Sequence, residues 1–192
     1  TGTGAWTVQV EGLDINGVEI SDQVSMRGTV NAFTTKAFYR INRMYVLTVG
    51  TNETNLGDIT ATINGDVQAI ITSNEGQTHQ THFTVPANHI FIVKNFNLLS
   101  GRMSGSNDLS VHSQIKIAYD DSGWRTISNI YLWNGTVHTN DSDISILPPL
   151  TEVRQRIEST TATQMAGTWS GYLVDTSYLQ GDFARYALQD IT

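Results

Sequence analysis

Along the first dozen residues apolar and polar side chains alternate, with Trp6, Val8 and Val10 on one side and Thr7, Gln9 and Glu11 on the other. That period of two marks a half-buried β-strand, because successive strand side chains point to opposite faces. A turn over Gly12 to Gly17 leads to a second alternation, in which Val18, Ile20, Val24 and Met26 oppose Glu19, Ser21, Gln23, Ser25 and Arg27. Together the two segments predict a β-hairpin. An aromatic and β-branched run from Phe38 to Val49 follows, then a Thr- and Asn-rich loop over 50 to 57. Ile59, Ala61 and Ile63 alternate up to Asn64-Gly65, and Val67, Ala69 and Ile71 alternate away from it. Asn-Gly between two such runs predicts a type I′ hairpin, whose turn needs positive φ at both central residues.

The pattern continues with strands predicted over Thr78 to Val85, stopped by Pro86, and over His89 to Leu99, followed by a loop of small turn residues over 100 to 108. Val111, Ile115, Ile117 and Tyr119 share a face, Asp120 to Gly123 turns, Trp124 to Trp133 runs back, and Asn134-Gly135 turns again. Ile144 to Leu147 ends at Pro148-Pro149, whose missing amide hydrogens confine it to an edge or a crossover. Val153 and Ile157 oppose Glu152, Arg154, Arg156 and Glu158, read as a strand in preference to a short helix, and Trp169 to Val174 reads as a closing strand. Only the tail, Tyr178 to Ile191, carries a helical stripe, made by Phe183, Tyr186, Ala187 and Ile191. The expected fold is all-β: an antiparallel, jelly-roll-like β-sandwich over 37 to 176, preceded by an N-terminal β-hairpin over 1 to 36 and followed by a docking tail over 177 to 192.

Composition narrows the function. Charged residues make up 15% of the chain, well below the roughly 25% of ordinary soluble proteins, while Thr, Ser, Asn and Gly are plentiful. With 11 Lys plus Arg against 18 Asp plus Glu, the net charge of -7 removes the counterion release that drives nonspecific nucleic-acid binding, so no nucleic-acid partner is expected. The absence of Cys excludes disulfides, thiolate metal sites and Cys nucleophiles. No apolar run approaches the roughly 18 residues that span a bilayer, so no membrane partner is expected. The chain opens without an initiator Met, and Thr1 is not expected to be the start of the gene product.

Candidate chemistry is sparse. His79 and His82 lie three apart, which on a strand sends the two rings to opposite sides and denies them a shared metal. Asp120-Asp121 and Asp141-Ser142-Asp143 fall in turns, where Asp side chains cap their own backbone; the second group offers oxygen ligands for a cation but lacks the spacing of a calcium loop. In Gly167-Thr168-Trp169-Ser170-Gly171 the Ser stands one place too late for a nucleophile elbow, and Gly2-x-Gly4 has no third Gly and precedes a strand. The sequons at Asn52, Asn134 and Asn140 are as many as composition alone would give. No catalytic residue, metal or cofactor is expected. Trp6, Trp124, Trp133 and Trp169 sit at strand ends, as lids over the core or as platforms for a sugar. Trp124, Trp133 and the Asp141 to Asp143 loop are the candidates for glycan contact. Arg40, Arg43, Arg154 and Arg156 hold much of the positive charge, either paired internally with acidic neighbours or forming the rim of a subunit contact. With Phe183 and Tyr186 of the tail they are the interface candidates.

A resemblance emerges from short motifs in order. Gly2-Thr3-Gly4-Ala5-Trp6-Thr7-Val8-Gln9-Val10-Glu11-Gly12-Leu13-Asp14, Tyr39-Arg40-Ile41-Asn42-Arg43-Met44-Tyr45-Val46, Gly57-Asp58-Ile59-Thr60-Ala61-Thr62, Glu75-Gly76-Gln77-Thr78 with Thr84-Val85-Pro86-Ala87, and Gly167-Thr168-Trp169-Ser170-Gly171-Tyr172-Leu173 resemble a family of tailed-phage virion proteins common among marine and cyanobacterial phages. The chain departs from that pattern at Asn52, Glu53 and Asn88, where the family carries Gly. The resemblance implies a non-enzymatic structural protein located on the virion, one that decorates or cements the capsid or forms a head fibre or other appendage. It implies a homo-oligomer, with a trimer as the first expectation, that contacts the major capsid protein or another virion protein. The rival expectation is a carbohydrate-binding or receptor-binding module of a tail fibre, since a β-sandwich does not fix function; a polysaccharide depolymerase is a third.

Overall fold

A computed structural model describes residues 3–101, 110–119, 123–133, 138–140, 145–159 and 164–179. The all-β, antiparallel class is what the chain adopts: thirteen strands and one 3₁₀ turn make up the elements of the described residues. The chain divides into two compact units, Thr1–Gln80 and Thr81–Thr192. The division expected at residue 37 is therefore misplaced, and the reason is sheet pairing, since the first hairpin is hydrogen-bonded along its length to the strand that follows it.

In the N-terminal unit, β1 (Ala5–Leu13) lies between β2 (Glu19–Ser25) and β3 (Arg40–Val49), and β4 (Ile59–Ile63) pairs with β5 (Asp66–Ile71) as a separate hairpin. Val8, Val10, Val24, Ile41 and Met44 from the three-stranded sheet pack on Ala69 and Ile71 from the hairpin, so each layer hides the apolar face of the other. Asn64 and Gly65 have φ of 54° and 92°, the positive pair that the Asn-Gly turn requires. The expected turn at Gly12 begins later: Gly12 is inside β1 at a register shift, where an added Cβ would lie 2.0 Å from the Arg40 carbonyl oxygen. Gln9, expected on the exposed side, is buried because β1 is central and Gln9 stands between Gln23 and Tyr45.

The expected strand over 78 to 85 shortens to β6 (His82–Thr84). The preceding residues have other work. The Val46 amide donates to the Gly76 carbonyl, the Thr78 amide to the Met44 carbonyl, and the Gln80 side-chain amide to the Ile41 and Asn42 carbonyls, so residues 76 to 80 occupy the outer edge of β3. Asn55 organises the loops nearby. Its Nδ2 donates to the carbonyls of Gly57 and Thr72, both at 2.9 Å, while its Oδ1 accepts from the Gly76 amide at 2.9 Å and the Thr54 hydroxyl at 3.1 Å.

The C-terminal unit has two sheets. In one, β7 (His89–Gly101) is flanked by β13 (Gln164–Asp175) on one side and by the short pieces β10 (His138–Asn140) and β11 (Ser145–Leu147) on the other. The edge placement expected before Pro148-Pro149 holds. The other sheet has the order β6-β12-β8-β9, with β8 Ser110–Tyr119, β9 Arg125–Trp133 and β12 Thr151–Ser159. Phe91, Val93 and Leu147 from the first sheet meet Ile115, Ile117 and Val153 from the second, with Val85 between strands. Within that core lies a buried carboxamide, Gln155, whose Nε2 donates to the Ser113 hydroxyl at 3.0 Å while its Oε1 has no partner. The helix expected over Tyr178 to Ile191 lies, apart from its first two residues, outside the described residues.

Candidate functional site

The alternation within β12 buries Thr151, Val153 and Gln155 and leaves Glu152, Arg154, Arg156 and Glu158 on the other face. Because directly opposed residues of antiparallel strands share a face, the register assembles that outer face in rows. One row is Glu158, His112 and Tyr131; the next is Arg156, Gln114 and Asn129; the third is His82, Arg154, Lys116 and Thr126. Rows two residues apart along a strand are about 6.8 Å apart, so the three span a strip of sugar- or peptide-sized width bearing almost no aliphatic side chain.

At one end the His112 and Tyr131 rings stack in parallel, with centroids 4.3 Å apart and planes 3° apart. Tyr131 is 73% exposed. Asn129 Oδ1 accepts from Gln114 Nε2 at 3.3 Å and lies 3.1 Å from His112 Nε2, so the amide joins the first two rows. At the other end Trp124 is half-buried. The Arg154 guanidinium lies over its ring at 3.9 Å from the centroid, and the His82 ring approaches edge-on at 6.1 Å. His82 Nε2 stands 3.6 Å from Glu152 Oε2, an electrostatic neighbour beyond hydrogen-bond range.

The structure brings two of the expected site residues together, since Trp124 is a partner of Arg154. Arg156 pairs with Glu158 on the same face. Arg40 and Arg43 belong to the other unit, where Arg40 lies over the Tyr39 ring at 4.3 Å and Arg43 over the Tyr45 ring at 4.7 Å, while Arg43 also donates to Gln77. Three of the four arginines thus rest on aromatic rings, where the reading of internal pairing had looked to carboxylates. A planar guanidinium stacks on such rings, and at Arg154 the stacked group has its Nε buried without a hydrogen-bond partner among the described residues. The side chains of Trp133, Phe183 and Tyr186 and the loop Asp141 to Asp143 lie outside the described residues; the backbone register sets Trp133 opposite Ser110. His79 is paired with Glu75 at 3.1 Å in the N-terminal unit, apart from His82 in the other.

Three ionisable groups are shifted by their surroundings. At Asp22 desolvation pushes upward but is outweighed by hydrogen bonds from the Thr35 hydroxyl and the amides of Thr35, Lys36 and Gln23, which hold the carboxyl below its ordinary range. The Tyr45 hydroxyl donates to Glu11 at 3.1 Å, which raises the phenol above its ordinary value. Asp175 accepts from the Ser177 amide at 2.8 Å as the cap of the 3₁₀ turn, and that bond lowers its carboxyl. None of the three sits on the outer face of the β6-β12-β8-β9 sheet. Among the described residues no three His, Cys, Asp or Glu side chains gather as metal ligands, and no helix is long and apolar enough to cross a membrane.

His112, Gln114, Asn129 and Tyr131 were not candidates on sequence. Each is an ordinary strand residue by itself, and only the pairing of β8 with β9 makes them neighbours. No protein-family model, curated protein or solved structure matches the chain.

Proposed function

We propose that the chain is a non-enzymatic structural protein of a tailed-phage virion, held on the capsid or on an appendage attached to it, and that its antiparallel β units act as a homo-oligomeric decoration, with a trimer as the first expectation. The single observation that carries this reading is the loop over 27 to 38. Its closing end is fixed by the Asp22 carboxylate, which accepts from the Thr35 and Lys36 amides, and Ala32 and Phe38 pack against the core. Between them Phe33 is 83% exposed, with Val30 63% exposed nearby in the chain. A large apolar side chain presented by an anchored loop supports a surface that a neighbouring subunit or virion protein covers, because ordering entropy is already spent before contact. The resemblance of the sequence motifs to those of phage virion proteins is the ground for naming a virion protein as that neighbour.

The test is light scattering of the full chain followed by electron microscopy of the protein mixed with capsids of a phage that encodes it. A stable oligomer adding ordered density to particles, with both effects weakened by Phe33→Ser, is the expected result. A strict monomer that leaves particles undecorated overturns the proposal.

A further inference from the structure

Independently of any virion role, the geometry points to the outer face of the β6-β12-β8-β9 sheet as a binding platform for an acidic polysaccharide, a chain of pyranose rings bearing carboxylate or sulfate groups. Three features converge on that ligand. Tyr131 offers a largely exposed ring that is already fixed in orientation by its parallel contact with His112, so stacking a sugar on it costs little side-chain entropy. The neighbouring row supplies carboxamides: Asn129 Oδ1 is committed to Gln114 and His112, which orients its own NH₂ group as a donor for sugar hydroxyls.

The third feature is charge. The face carries three cations, Lys116, Arg154 and Arg156, two carboxylates, Glu152 and Glu158, and the imidazoles of His82 and His112. The carboxylates lie toward its ends, Glu158 paired with Arg156 and Glu152 beside His82. Lys116 sits in the third row next to Arg154 and makes no ion pair among the described residues. The Lys116 and Arg154 pair selects an anionic group locally on a chain whose net charge is -7. Ring, amide and cation in successive rows about 6.8 Å apart suit a ligand whose apolar ring faces, hydroxyls and acid groups recur along its length. Tyr131 and not Trp124 is the platform in this arrangement, because Tyr131 is largely exposed whereas Trp124 is half-buried between Arg154 and His82.

Calorimetric titration of the full chain with hexagalacturonate, against cellohexaose as the uncharged counterpart, tests the proposal. The expected result is binding of hexagalacturonate that weakens as salt rises and no detectable binding of cellohexaose. Tyr131→Ala and Lys116→Gln should each weaken it by about three- to tenfold, the scale of one aromatic contact or one screened charge pair. Both positions are on a sheet surface, and thermal melting of the variants, with Phe33→Ser in the other unit as a control that binds normally, separates a lost site from a lost fold. Lack of binding at millimolar hexagalacturonate, equal binding of cellohexaose, or retention of full affinity in a folded Tyr131→Ala overturns the proposal. So does a self-associated chain that Tyr131→Ala dissociates, which would make a second copy the occupant of this face.

Discussion

Asn55 of the N-terminal unit and Gln155 of the C-terminal unit are both buried carboxamides, and the two are treated differently. Asn55, 1% exposed, uses both amide hydrogens and both carbonyl lone pairs on the loops around it. Gln155, 8% exposed, lies between two sheets, donates once to Ser113 and leaves its carbonyl oxygen unpaired. Burial alone therefore does not tell what a polar side chain contributes. A fully paired amide in a loop replaces secondary structure by supplying partners for backbone groups that have no ladder to join. A half-paired one in a sandwich core has already lost its hydration and recovers only part of it. The surroundings differ as well: Gly167 on β13 approaches Gln155 so closely that an added Cβ would stand 2.3 Å from Oε1.

The largest effect should come from Asn55→Ala. Four hydrogen bonds are lost and buried backbone groups are left without partners, for an expected loss of about 3–4 kcal/mol, read as a shift in denaturant midpoint and as faster amide exchange confined to the Asn55 and Gly76 region. Next is Gly167→Ala, where the new methyl forces Gln155 or β13 to move; overpacking of this kind costs about 1–3 kcal/mol and should accelerate exchange in the C-terminal unit alone. Gln155→Met should cost only about 1 kcal/mol, mostly through the abandoned Ser113 hydroxyl, and the double variant with Ser113→Ala should return to within about 0.5 kcal/mol of the parent. If Gln155→Met proves as damaging as Asn55→Ala, the distinction between the two amides fails. The smallest effect concerns pH. Asp22 has a folded pKa below its ordinary 3.8, so its clamp on the Thr35 loop contributes at neutral pH and is lost as acid carries the solution down through the folded value. Asp22→Asn should therefore melt below the parent at pH 7 and converge with it in strong acid; an unchanged gap across that range would exclude the clamp.

Much of the fold was legible in the chain because it is written in local periodicity. Asn64-Gly65 announces its hairpin by turn chemistry, and Val153 against Arg154 and Arg156 announces a half-buried strand. The unit boundary was not legible, because Thr78 and Gln80 look like strand residues and their use against the edge of β3 depends on partners more than 30 positions away, as with Thr78 and Met44. The same limit applied to the site. Strand alternation put Val111, Ile115, Ile117 and Tyr119 on one face, but no local rule puts β12 between β6 and β8, and without that order Arg154 could not be seen to neighbour Lys116 or Trp124. The arginines were visible as a group by type. Their aromatic partners were not, because stacking leaves no periodic trace.

The segment over 76 to 80 that fills the outer edge of β3 also bears on how copies of this chain can vary over generations. With the Val46 amide and the Met44 carbonyl already engaged, a neighbour lying along that side meets side chains and not an open ladder of peptide groups. Main-chain pairing is indifferent to sequence, whereas side-chain contact is not. Contacts made on that flank can accordingly be gained, lost or redirected one substitution at a time, leaving the strand beneath them untouched.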